Sequence, residues 1–274
     1  MKIFWIFLMT LALGYAKVNV AVSVLPQVTF VKAIGGEKVE VALMVEPGHS
    51  PHAYEPKPSQ MRQISKAQLY FAIGVEFEKV WLERFASQNR AMKIIDTTQN
   101  ITKMAMAHDD HHHEGGFDPH IWTSPSNVKI IAQNIYDGLI GVDRANEAYY
   151  KANFESFLSK IDSVDSSIRE ILKNTPKGAK FMVFHPAWGY FATSYGLVQL
   201  PIEVEGKEPK PQAVAQLIAK AKKESIKAIF TAPEFSDTVA KTIADELGIA
   251  VLKLSPLNPK WDENLIELAK AIAQ

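Results

Sequence analysis

The stretch from Ala145 to Asn174 contains neither proline nor glycine. Apolar residues recur along it at Tyr150, Phe154, Phe157, Leu158, Ile161, Val164, Ile168, Ile171 and Leu172, spaced three and four apart. That spacing predicts one face of an amphipathic helix. At about 1.5 Å per residue such a helix runs roughly 45 Å, longer than an ordinary α/β lobe requires. Thr175-Pro176-Lys177-Gly178 stops it. The chain is therefore expected to divide at a stiff rod, because a flexible hinge would carry the glycine and proline that this segment lacks.

On either side of the rod, short β-rich runs alternate with helical patterns. Before it come Val18 to Val24, Val39 to Val45, Leu69 to Ile73 and Lys93 to Asp96, with a helix opened by Pro26 and ending towards Gly35-Gly36. After it come Lys180 to Phe184, Val198 to Val204, Ala228 to Phe230 and Ile249 to Leu254, with helices over Pro211 to Glu224 and Asp237 to Leu247. Strands alternating with helices imply βαβ units and a mostly parallel sheet. The fold class expected is α/β: two lobes, each with a mostly parallel four-stranded sheet flanked by helices, joined by one long rigid helix. The N-terminal lobe takes residues 17–144, the linker helix 145–174 and the C-terminal lobe 175–274.

Residues 1–16 read as a secretory signal peptide. Lys2 supplies the positive charge, Ile3 to Leu13 an apolar run broken by Thr10, and Gly14-Tyr15-Ala16 a small-x-small cleavage pattern after Ala16. The run is too short for a membrane span, which needs roughly 20 apolar residues, so no stable membrane insertion is expected. The chain has no cysteine, so an exported domain must rely on its core rather than on disulfides. No cysteine offers a lipid anchor at the cleavage point either, and a freely diffusing periplasmic monomer is the expectation. Lys and Arg total 30 against 30 Asp and Glu, a balance that argues against nucleic acid or an anionic membrane as the main partner.

The histidines are not scattered. Three stand singly beside prolines in separate segments, as Pro51-His52, Pro119-His120 and His185-Pro186, and four crowd into His108-Asp109-Asp110-His111-His112-His113-Glu114-Gly115-Gly116. Neutral imidazole is the commonest side-chain ligand for zinc, copper and nickel. Each lone histidine falls beyond a strand or in a loop returning towards one, where open α/β sheets bind their ligands. The neighbouring prolines restrict the backbone and help preset ligand direction. The polar tract of residues 107–116 suits weak, loose metal capture through His108, Asp109, Asp110, His111, His112 and His113. His49, three residues before His52, is a further candidate for capture, whereas Trp122 and Trp188 suit packing around a cleft.

Three motifs carry a resemblance. Val45-Glu46-Pro47-Gly48-His49-Ser50-Pro51-His52-Ala53-Tyr54-Glu55-Pro56-Lys57-Pro58-Ser59, Phe117-Asp118-Pro119-His120-Ile121-Trp122-Thr123-Ser124-Pro125 and Phe184-His185-Pro186-Ala187-Trp188-Gly189-Tyr190-Phe191-Ala192 resemble the three ligand loops of the cluster A-I metal-binding proteins of ABC transporters. Glu203 to Pro209 is a further family-like segment. The likeness covers essentially the whole chain after residue 16, and the nearest subgroup is the zinc-specific, ZnuA-type receptors, which also carry a His/Asp-rich loop ahead of the second ligand. The resemblance implies two α/β lobes linked by a rigid helix, Zn2+ held between them, and delivery of zinc to a cognate ABC permease.

One position departs from the pattern. Many relatives place a ligating aspartate in an Asp-Pro-Leu segment, where this chain reads Ser255-Pro256-Leu257. Some zinc relatives use a glutamate immediately before the first histidine, and here that residue is Pro51. The expected ligands are His52, His120 and His185, with water or a residue of the His/Asp tract closing a tetrahedron. Ser255 is a candidate partner for that water, and Glu234 and Glu205 are candidate replacements for the missing donor. Three imidazoles without an assured carboxylate favour zinc over manganese, which prefers oxygen.

Two other readings compete. Three histidines and one open position also suit a catalytic zinc, so an exported zinc-dependent hydrolase is one rival. Such an enzyme needs a general base beside the metal-bound water, yet no His-Glu-x-x-His motif occurs and no glutamate neighbours any of the three along the chain. The chain is therefore read as a receptor, not an enzyme. The other rival is a receptor of the same fold for manganese or another divalent metal.

Overall fold

A computed structural model of the chain describes residues 17–52, 54–106, 116–203 and 207–274. The signal-peptide segment lies outside them. Strand β1 (Val18–Val22) leads into helix α1 (Leu25–Gly35), followed by β2 (Val39–Leu43), α2 (Pro58–Ile64), β3 (Leu69–Ala72), α3 (Glu76–Gln88), β4 (Lys93–Asp96) and α4 (Pro125–Ile140). These strands form an all-parallel sheet in the order β2-β1-β3-β4. Pro26 in the first turn of α1 presets its helical backbone. The Gln27 side chain accepts from the amides of Ser23 and Val24 at 3.0 and 3.1 Å, which turns the chain out of β1 earlier than the apolar run suggests.

After α5 (Glu147–Leu172) the second lobe repeats the grammar with β5 (Lys180–Val183), α6 (Gly189–Ser194), β6 (Val198–Pro201), α7 (Pro211–Lys223), β7 (Ala228–Thr231), α8 (Thr238–Leu247), β8 (Ala250–Lys253) and α9 (Trp261–Ala273). Its sheet is also parallel, in the order β6-β5-β7-β8. The two sheets share one topology, and each presents the carboxyl ends of its strands to the cleft. Among the described residues, no helix is long and apolar enough to cross a membrane.

Helix α5 has 26 residues, or about 39 Å at the standard rise. It buries Tyr150, Phe157, Ile161, Val164, Ile168 and Leu172, the three-and-four spacing read from the sequence. It is not the lobes' sole connection. The last helix, α9, packs along α5 and reaches the first lobe: Trp261 meets Phe30 of α1 edge-on at 5.6 Å, and Lys160 of α5 pairs with Asp262 at 2.7 Å. The Trp261 indole donates to the Trp122 carbonyl at 2.7 Å, the Trp122 indole donates to the Pro256 carbonyl at 2.8 Å, and Thr29 donates to the Pro259 carbonyl at 2.7 Å.

The core reflects this crossing. One buried cluster runs from the first sheet through α5 and α9 to one face of the second sheet, where Phe181, Val183 and Phe230 lie. Met182, Phe184 and Ile229 point the opposite way, into a smaller cluster with Ala221 of α7 and Ile243 of α8. This is the period-2 alternation of strand side chains, and it builds one lobe's inner face into the core of the other.

Candidate metal centre

Three loops at the carboxyl ends of the strands bring His52, His120 and His185 together. His52 sits in the connection between β2 and α2, where the Pro51 carbonyl accepts from the Phe77 amide of α3 at 3.2 Å. His120 immediately precedes a short 3-10 turn, Ile121–Thr123, ahead of α4. His185 follows β5 after Phe184. Among the described residues, these three each offer one ring nitrogen, all within 4.8 Å of one another. The Nε2 atoms of His52 and His185 are 3.3 Å apart. With zinc–nitrogen bonds of about 2.0–2.1 Å, the edge of a tetrahedral site is about 3.3–3.4 Å, so this pair already stands at the spacing a tetrahedral zinc requires.

The opposite side of each ring meets a carboxylate. His185 Nδ1 is 2.7 Å from Glu203 Oε1, and His120 Nδ1 is 2.8 Å from Asp118 Oδ1, which also accepts the His120 amide at 2.9 Å. His52 Nδ1 lies 3.0 Å from Glu76 Oε2, an ion-pair contact not aligned as a full hydrogen bond. A carboxylate at Nδ1 holds the proton there, leaves the Nε2 lone pair free and orients the ring. Two Nε2 lone pairs facing each other at 3.3 Å repel, and a cation between them turns that repulsion into attraction.

The surroundings tune the rings differently. His120 and the His185 side chain are buried, while His52 is about a third exposed. Contact with Glu76 raises the His52 pKa above the ordinary 6.5, against a smaller opposing effect of burial. Burial chiefly lowers that of His185, with the Glu203 hydrogen bond opposing. Burial also disfavours ionised Glu76, but close contact with His52 and its charge outweigh it and hold the carboxyl down at about 2. Phe235 stacks on His185 at 4.8 Å and 23°, and Trp122 lies edge-on to His120 at 5.5 Å.

The three histidines border a void of about 10 Å³ whose other walls include Ser50, Pro51, Glu234, Phe235, Pro256 and Leu257. A larger cavity of about 450 Å³ lies in the first lobe, beyond Glu76 and Asp118, and holds none of the three histidines. Its lining is mostly apolar but includes Glu76, Glu78, Asp96 and Asp118, and among the described residues the side chains grouped closely enough to hold a metal are the three histidines at the small void.

The remaining sequence candidates fall as follows. Ser255 does not border the void. Its hydroxyl donates to the Glu234 carboxylate, with oxygens at 2.9 and 3.1 Å, and accepts the Leu257 amide at 3.0 Å. His49 is exposed, edge-on to Tyr54 at 5.6 Å, and outside the triad. Trp122 and Trp188 are buried packing residues. Glu205 and the tract residues His108, Asp109, Asp110, His111, His112 and His113 lie outside the described residues.

Sequence reasoning missed the three carboxylates. No glutamate adjoins the histidines along the chain, yet each histidine has an acidic partner in space. Asp118, two residues before His120, was the one with a local signal. Glu76 arrives on α3 with nothing nearby to mark it, and Glu203 arrives from beyond β6, marked only as the start of the family-like segment Glu203 to Pro209 and not as a partner of His185.

Comparison with known proteins adds the following. A family model, "ZnuA: Zinc-uptake complex component A periplasmic", matches residues 20–274. Zinc-binding protein AdcA of Streptococcus pyogenes serotype M3 is 29% identical over 266 residues, covering 89% of this chain and 51% of AdcA. The chain thus spans about half the length of those relatives. High-affinity zinc uptake system protein ZnuA of Bacillus subtilis is 30% identical over 254 residues, covering 88% of this chain and 79% of that protein. The crystal structure of a ZnuA deletion mutant with zinc bound superposes with a TM-score of 0.87 at 41% identity, covering 94% of this chain and 97% of that one.

Proposed function

The chain belongs to the ZnuA family, and from that premise we propose that it captures zinc outside the cytoplasm and delivers it to a cognate ABC permease for import. The observation that carries this reading is the convergence of three histidine ring nitrogens, each ring backed by a carboxylate. His52, His120 and His185 bind the ion. Glu76, Asp118 and Glu203 orient the rings and strengthen their donor nitrogens. Relatives named for zinc binding and zinc uptake support the choice of metal, as does a nitrogen-rich donor set.

Zinc is cargo here, not the centre of an enzyme. A catalytic zinc would hold a water at its open position and need a general base beside it. The paired carboxylates lie behind the rings, away from where such a water would sit. Residues 1–16 direct export and are removed after Ala16, and the mature protein works in the periplasm as a monomer. It comprises a lobe of residues 17–144, a linker helix over 145–174 and a lobe of residues 175–274. The His/Asp tract at 107–116 gathers zinc weakly. In zinc-limited medium a strain lacking the protein should grow poorly, and added zinc or the native gene should restore growth. A gene carrying H120A should not, and full complementation by it would count against the proposal.

A further inference from the structure

We propose that Tyr190 is the positioning residue for the His120 arm of the metal centre. Its hydroxyl, brought from the second lobe, fixes the backbone of Asp118, and Asp118 in turn holds the His120 ring. The inference rests on the zinc-receptor reading above.

The first lobe contributes a short antiparallel ribbon. Ala105 bridges Phe117, the Asp118 amide donates to the Met104 carbonyl at 2.9 Å, and the Met106 amide donates to the Gly116 carbonyl at 3.1 Å. This register sets Met104 opposite Asp118. A hydrogen-bonded antiparallel pair ordinarily exchanges two direct bonds. Here the phenol of Tyr190 stands in the place of the second. The Met104 amide donates to the Tyr190 hydroxyl at 2.9 Å, and that hydroxyl donates to the Asp118 carbonyl at 2.9 Å.

The insertion lies two residues from a metal ligand. Asp118 Oδ1 accepts from both the backbone amide and Nδ1 of His120, so the orientation of Asp118 sets that of the ring. Tyr190 is buried and stands on α6, five residues after His185. The loop that carries one ligand therefore braces the loop that carries another. The Ser194 hydroxyl donates to the Tyr190 carbonyl at 2.8 Å and meets the Ser124 hydroxyl at 2.9 Å, which seats α6 on the first lobe. Gly189 permits the approach, because a Cβ there would stand 2.9 Å from Asp118 Oδ2. Without the phenol, the Met104 amide and the Asp118 carbonyl are left unpaired or drawn together, and Asp118 moves in the second case and loosens in the first.

The test compares native protein, Y190F, G189A, D118N and the double variant Y190F/D118N. The control is Y195F, whose hydroxyl donates instead to Asp165 of α5 at 2.8 Å. Competition titration with a zinc-chelating dye and the visible spectrum of the Co2+-loaded form are the readouts, and metal-free melting curves establish folding. D118N removes the carboxylate behind a ligand and should cost about 10–100-fold in affinity. Y190F acts one bond further out and should cost about 2–10-fold and shift the Co2+ spectrum, whereas Y195F should change neither. If Tyr190 acts through Asp118, Y190F should add nothing to the loss in D118N. G189A crowds the same carboxylate with the hydroxyl in place, so it should weaken zinc and shift the spectrum, and it decides the matter if Y190F does not fold. Native affinity with a superimposable Co2+ spectrum in folded Y190F, or losses that multiply in the double variant, would overturn the assignment and leave the receptor reading intact. So would an unaltered G189A where Y190F does not fold. Failure of the native protein to bind zinc would overturn both.

Discussion

Replacing Glu203 by glutamine removes a charge from behind the metal centre while keeping the side chain's shape. The Glu203 carboxylate lies 2.7 Å from His185 Nδ1, and both side chains are less than a tenth exposed. A hydrogen bond to a charged group contributes about 1.5–3 kcal/mol. At about 1.4 kcal/mol per tenfold, that corresponds to roughly 10–150-fold in zinc affinity if most of it is felt only when the ring is bound to a cation. The range agrees with the about 10–100-fold seen when outer partners of metal-bound histidines are removed. A glutamine also presents an NH2 group that can donate to Nδ1, which moves the ring proton to Nε2 and blocks the metal. Competition against a zinc-chelating dye at neutral pH measures the loss, and a metal-free melting curve shows whether the fold is intact. A well-folded E203Q protein with undiminished affinity would refute the carboxylate's role.

Two further outcomes follow from the same geometry. Zinc must displace the His52 proton, which is held more tightly than in an ordinary histidine, so zinc affinity should begin to fall at a pH above 6.5. His185, with its pKa lowered, is neutral through that window. E76Q, lacking the anion that raises His52, should move the onset to lower pH, and an unchanged profile in dye titrations across pH would contradict the pairing. Because α5 and α9 both bridge the lobes, small-angle scattering should show little compaction on adding zinc. W261A, which empties a core site at a cost of about 3–5 kcal/mol, should lower the melting temperature and broaden the scattering envelope. A large zinc-driven compaction of the native protein would refute a stiff connection.

Much of the architecture was legible because it is encoded locally. The three-and-four spacing of α5 and the β-rich run Lys93 to Asp96 mark their own elements, and the prolines at Pro26, Pro125 and Pro211 start helices where their ring geometry permits. Strand ends were less legible, because β1 stops where the Gln27 side chain captures two amides, an interaction that hydrophobicity does not register. The destination of α9 was not legible at all: its apolar stripe resembles that of any surface helix, and only packing sends Trp261 to Phe30 of the opposite lobe. The same division holds at the centre. His52, His120 and His185 stood out through their prolines and their places after strands, whereas Glu76 and Glu203 meet their histidines across different elements.

The most direct measurement is the anomalous diffraction of crystals grown from zinc-loaded protein, recorded on both sides of the zinc absorption edge. One dominant peak is expected between the lobes, bonded to Nε2 of His52, His120 and His185 at about 2.0–2.1 Å. A dominant peak elsewhere on the molecule, or a zinc ion held without two of those three nitrogens, would contradict the assignment of the centre.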